Sequence, residues 1–209
     1  MNHHAQPHRS LTDTAASGAA ADAALGDLPV WKLSDLYAAK DAPEFKQDLA
    51  KAKEQSLAFE AKWKGKLADA AALTGPGGLG EALRELEALD DLLGKIGSFA
   101  GLTYFGNTAD PANGKFYGDV QAQLTDLSSH LIFFSLELNR IDDAAVDACL
   151  DRDPAAGHYR PWIVDLRKDK PFQLDDKLEQ LFLEKSMTSA AAFNRLFDET
   201  MAELRFEVD

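Results

Sequence analysis

The residues that could do chemistry are few and scattered. A zinc peptidase places two histidines one helical turn apart with a glutamate beside the first, H-E-x-x-H. Both rings then face one metal, and the carboxylate can activate the bound water. Of the five histidines, His3, His4 and His8 sit near the start, where capture of a metal would be incidental, and His130 and His158 stand alone. Neither of these two is followed by Glu, and no H-E-x-x-H occurs. His130, in the apolar run LSSHLIFF, is expected to be a partly buried, hydrogen-bonded histidine; His158, beside Tyr159 at a helix start, is expected to be structural or solvated. The single cysteine, Cys149, is flanked by Asp147 and Asp151. It reads as a small buried hydrophobe, because an activated thiolate needs a cationic setting.

Other chemical motifs are absent or incomplete. G-x-S-x-G does not occur, and the glycines of TGPGGLGEAL have no G-K-[ST] after them. They read as a loop and not as a phosphate cradle. The acidic pairs Asp90-Asp91, Asp142-Asp143 and Asp175-Asp176 are adjacent in sequence, and adjacent residues diverge on a helix, so they make poor carboxylate pairs. The last two pairs suit helix N-termini, where the dipole favours negative charge. The residues therefore assign no catalytic, cofactor-binding or metal-ligating role in this chain.

The composition narrows the partners. The formal net charge of the 209 residues is −13, which argues against nucleic acid and against an anionic membrane surface. The only dense cationic cluster, Arg160, Arg167, Lys168 and Lys170, is interrupted by Asp165 and Asp169. No apolar run approaches the length of a membrane span, and the opening residues lack a secretory signal. Hydrophobic residues make up 45% of the chain, enough for a sizeable core. With one cysteine and no signal, the expected location is cytoplasmic.

The elements that must position these residues are helices. Residues 1–27 are small, polar and low in complexity, and read as a disordered tail. LPVWKLSDLY follows, apolar enough that Trp31 and Tyr37 are expected to dock as a clasp on the helical body or on a missing domain. A first long helix is expected from Asp41 as cap and Pro43 in the first turn, with Phe45, Leu49, Ala52, Ser56, Phe59 and Trp63 along one seam. TGPGG breaks the chain. A second helix carries Leu79, Leu83, Leu86, Leu89, Leu93 and Ile96 to about Tyr104, with Gly94, Gly97 and Gly101 allowing close packing. A third, capped by Asp110 with Pro111 next, is expected to run unbroken through Phe116, Val120, Leu124, Leu127, Leu131, Phe134 and Leu138. Shorter helices are expected at 142–150, 158–168 and 174–185, then a last one capped by Thr188 or Ser189 and bearing Phe193, Leu196, Phe197 and Met201. The fold class is all-α, a multi-helix bundle-like lobe, and the closing LRFEVD alternates like a strand with no partner upstream.

Three stretches carry a resemblance. The opening W-x-L-x-D-L-Y (Trp31, Leu33, Asp35, Leu36, Tyr37), the run HYRPWIVDLRKDKPFQLDDKLEQLFLEK and the R-L-F-D-E core at Arg195 to Glu199 resemble the N-terminal part of oligoendopeptidase F, within the thimet-oligopeptidase-like zinc metallopeptidases. Phe172 departs from the pattern, standing where the family often has His. The likeness implies that residues 28–209 are a helical N-terminal domain whose zinc-bearing catalytic domain is absent. It implies a lobe that forms one wall of a channel for short unfolded peptides and restricts substrate size. The parent would be a zinc metalloendopeptidase, and this chain alone is expected to bind no zinc and hydrolyse nothing. The alternative is a free-standing helical protein–protein interaction module.

Overall fold

Apolar residues at steps of three and four give each long helix one sticky face, and the fold is the arrangement that buries those faces. The structure, a computed structural model, describes residues 31–204. The 1–27 tail and the strand-like end beyond Leu204 lie outside the described residues. Contacts divide the chain into Met1–Lys32 and Leu33–Asp209, and the fold is that of the second unit. Among the described residues all regular structure is helical, so the fold class is all-α.

A 3-10 turn, Leu33–Asp35, leads to α1 (Pro43–Trp63), a short α2 (Leu67–Ala71), α3 (Leu79–Gly106) and α4 (Pro111–Ser129). Next come α5 (Phe133–Arg140), α6 (Asp143–Arg152), α7 (Pro154–Gly157) and α8 (Arg160–Leu166). A 3-10 turn, Arg167–Phe172, then feeds α9 (Asp176–Ser186) and α10 (Ala190–Glu203). α1 and α3 serve two apolar clusters. One gathers Phe59, Trp63, Leu79, Leu83, Phe134 and Ile163, among others, from α1, α2, α3 and α5–α8. The other gathers Tyr37, Phe45, Ile96, Phe99, Val120 and Leu127 from the opening turn, α1, α3 and α4.

The ends of the helices follow local chemistry. Asp110, Asp142, Asp153 and Asp175 each accept hydrogen bonds from backbone N–H groups of the first turns of α4, α6, α7 and α9. α1 differs from expectation: its cap is Ala42, which has no side-chain acceptor, and Pro43 alone marks the start. Gly75 and Gly77 take positive φ in the turn before α3, and the Gly77 N–H donates to Glu81 at 2.6 Å. A carboxylate of the chain itself thus occupies the donor that a phosphate would use. Of the three spaced glycines of α3, only Gly97 meets a neighbour tightly: a Cβ there would lie 3.2 Å from Leu124.

The expected third helix is two. α4 stops at Ser129, and Leu131 and Ile132 both donate their N–H groups to Ser128 O, while Phe134 donates to Leu131 O. This tightening re-aims the chain. Phe133 and Phe134, the first two residues of α5, are both buried and pack near Phe59, at 5.9 and 5.8 Å between ring centroids.

Of the expected clasp, Tyr37 is docked. Tyr37 is buried against Phe45 and Phe99 in edge-on contacts at 5.1 and 5.2 Å, and its hydroxyl donates to Asp48 at 2.8 Å. Trp31 is 63% exposed. Tyr37→Ala should therefore cost about 3 kcal/mol or more. Trp31→Ala should leave the unfolding midpoint of this chain unchanged, and thermal denaturation of the pair checks both.

Candidate functional site

The segment from α5 onward is built from anchoring contacts at its beginning and uncovered apolar surface at its end. Arg167 is the main anchor. Its side chain is only 11% exposed, and it donates to Leu138 O and, at 2.7 Å, to Ile141 O, the carbonyls left open where α5 ends. It also pairs with Asp143, which Lys170 reaches at 2.9 Å. Gln173 donates to Leu136 O at 3.1 Å, and Arg140 forks onto Asp176 in the first turn of α9. The cationic cluster of the sequence is thereby used internally. Arg160 pairs with Asp147 and Asp151, and Lys168 with Asp165.

These contacts have a pH signature. The Arg167 guanidinium, then the Lys170 ammonium, hold the Asp143 carboxyl at about 2, well below its ordinary 3.8. Arg140 lowers Asp176 in the same sense. A carboxyl depressed in the fold contributes stability above its unfolded pKa, and that contribution disappears as pH falls through the folded value. The anchor should therefore weaken between about pH 4 and pH 2. Urea midpoints compared at pH 5 and pH 2.5 should fall less for Asp143→Asn than for the parent sequence.

Beyond the anchor, α9 and α10 turn apolar residues outward. Leu178, Leu181 and Phe182 on α9 are exposed, following exposed Phe172 and Leu174. On α10 the exposed residues Phe193, Leu196, Phe197 and Met201 fall at steps of 3, 1 and 4, one stripe of the helix. The residues of α10 that are partly covered are Ala192, Asp198 and Ala202. They lie with Arg195 on a different stripe, and Ala192, Arg195 and Asp198 line a groove against Phe105, Tyr117 and Gly118 at the end of α3 and on α4. The last helix thus turns its small and polar stripe to the rest of the fold and its aromatic stripe to solvent. Neither α9 nor α10 buries a single residue. Apolar exposure of this kind marks an interaction surface.

The remaining sequence candidates are placed as follows. His130 is half-buried at the end of α4, its Nδ1 2.7 Å from Glu60 Oε2. Burial works against the Glu60 charge, but hydrogen bonds from Lys64 and His130 keep its carboxyl below the usual range. His158 is exposed, with its ring edge-on to Tyr159 at 5.0 Å. Cys149 is fully buried in the larger cluster, and burial pushes its thiol up. Asp90 and Asp91 lie on α3 beside Tyr159 and Trp162, where desolvation and then the Asp91 charge raise Asp90. Asp142 and Asp175 cap helices, and Asp143 and Asp176 form the ion pairs described. A zinc centre does not fit these residues: His130 is engaged by Glu60, and among the described residues no three His, Cys, Asp or Glu converge on a point. Among the same residues no helix is long and apolar enough to cross a membrane. Sequence reasoning missed the outward stripe of α10, because periodicity reveals a stripe but not which side of it the core will occupy.

Comparison with known families adds one finding. The family model described as Oligopeptidase F matches residues 137–206, the N-terminal region of that metallopeptidase. The match takes in the anchor, α9, α10 and the Arg195–Glu199 core; the W-x-L-x-D-L-Y opening lies outside it. No curated protein and no solved structure matches the chain.

Proposed function

We propose that this chain is the N-terminal, non-catalytic part of a zinc-dependent oligopeptidase that hydrolyses short unfolded peptides. Residues 28–209 form its helical domain, with residues 1–27 as a separate leading segment. The lobe supplies one wall of a channel, limits substrate size and docks on a catalytic domain that carries H-E-x-x-H and the zinc. The parent works in the cytoplasm, without nucleic acid or membrane as partners.

One observation supports this reading above the others: the aromatic stripe of α10 faces outward within the very stretch that matches Oligopeptidase F. A surface of that kind needs a cover. A domain of the same protein is the cover that the resemblance supplies. A free-standing interaction module would use the same stripe for an unrelated partner, so the two readings divide on what the gene encodes next.

The coding sequence beyond Asp209 is expected to continue into a segment with H-E-x-x-H; a stop codon there favours the interaction module. This chain alone should not cleave a quenched-fluorescent peptide with or without added zinc, and chelator-sensitive turnover would contradict the assignment.

A further inference from the structure

We propose that the groove between α4 and α10 is a binding site for the C-terminal end of a short peptide, with the terminal carboxylate on Arg195. Naming the ligand a peptide rests on the function proposed above; the choice of a carboxylate with an apolar neighbour rests on the groove itself.

The groove has a volume of about 380 Å³, within the range of small-molecule sites. Its apolar wall is Phe105, Tyr117 and Met187, and Phe105 is 53% exposed. Tyr117 is held rigid by stacking on buried Tyr104, with centroids 5.1 Å apart and planes 5° from parallel. The polar wall is Arg195, flanked by the amides of Gln121 and Asn194, which make no side-chain hydrogen bond among the described residues.

Among the described residues, Arg195 is ion-paired through Nε only, with Glu199 one turn on at 3.7 Å, beyond hydrogen-bond distance. Its guanidinium rests over Gly118 on α4, where a Cβ would stand 3.3 Å from one terminal nitrogen. The glycine thus makes room for the cation at the groove, at some cost in helix propensity relative to alanine. A planar guanidinium with free donors suits a carboxylate held by two parallel hydrogen bonds. Asp198 in the same groove and Glu199 next to Arg195 disfavour a dianion such as phosphate, since a single cation cannot offset both. The unpaired amides suit the last peptide bond, and the aromatic wall suits an apolar terminal side chain.

Calorimetric titration of this chain with N-acetyl-Leu-Phe should give saturable binding in the range of about 1 mM or tighter. The C-terminal carboxamide of the same peptide should bind at least tenfold more weakly, and Arg195→Ala should lose as much for the free acid. Gly118→Ala should also weaken binding while leaving the unfolding midpoint unchanged or raised, which separates loss of the site from loss of the fold. Equal affinity for acid and amide, an unaffected Arg195→Ala, full competition by inorganic phosphate, or no saturable binding would each overturn the proposal. The titration reads this chain alone. A negative result beside an H-E-x-x-H encoded downstream therefore removes the site and leaves the peptidase assignment standing, while binding beside a stop codon does the reverse.

Discussion

Phe193→Asp with Phe197→Asp should abolish capture of the proposed catalytic domain by this chain while leaving the chain's own unfolding midpoint in place. The two rings are 71% and 64% exposed, so removing them costs the isolated lobe almost nothing. Covered by a partner, each would contribute about 2 kcal/mol from burial of apolar surface. A carboxylate forced into the same interface would add a desolvation penalty. Together the losses exceed about 4 kcal/mol, or roughly a thousandfold in affinity. The measurement is calorimetric titration or co-elution of the separately produced catalytic portion with parent and doubly substituted lobe. Unchanged affinity would remove the α10 stripe as the docking face. A lowered midpoint in the isolated lobe would mean that the stripe packs inward.

Phe134→Ala should destabilise the fold by about 4 kcal/mol, read as a lowered urea midpoint with an unchanged slope. The ring is 1% exposed and lies at the meeting of α1 and α5, 5.8 Å from Phe59 and 6.3 Å from Phe133. Its neighbours are aromatic rings and branched side chains on several helices, which cannot all move inward to refill the space. A cavity remains, and its cost adds to the lost transfer energy. A loss below about 1 kcal/mol for Phe134→Ala would show that this cluster collapses easily.

Both predictions concern packing, and the sequence informs them unequally. Helix existence was legible because its signals are local. Pro43 and Pro111 fix φ at a first turn, Asp110, Asp142 and Asp175 reach N–H groups two or three residues on, and apolar residues recur within one turn. The buried position of Cys149 was legible from its apolar setting. The absence of paired histidines was legible by inspection. The resemblance to oligoendopeptidase F was legible in the later part of the chain, where the family match falls.

Other features depended on residues far apart in sequence. The 3-and-4 spacing from Phe116 to Leu138 continues in phase across the break, so periodicity alone reads one helix. The interruption after Ser129, where Leu131 and Ile132 both donate to Ser128 O, is visible only in the structure. Trp31 and Tyr37 have equal claims on burial by composition; Trp31 is exposed, and Tyr37 is buried against Phe45 and Phe99 with its hydroxyl on the Asp48 carboxylate. The amphipathic pattern of α10 is unambiguous, but a pattern has no sign. The hydrophobic effect fixes that an apolar stripe will be covered, not by which surface. The sequence by itself determined that this chain makes helices, where most of them begin, and that it holds no zinc motif. Tertiary structure decided which apolar stripes meet each other and which is left facing outward, because that choice is made by the complementary surfaces that the rest of the chain can offer.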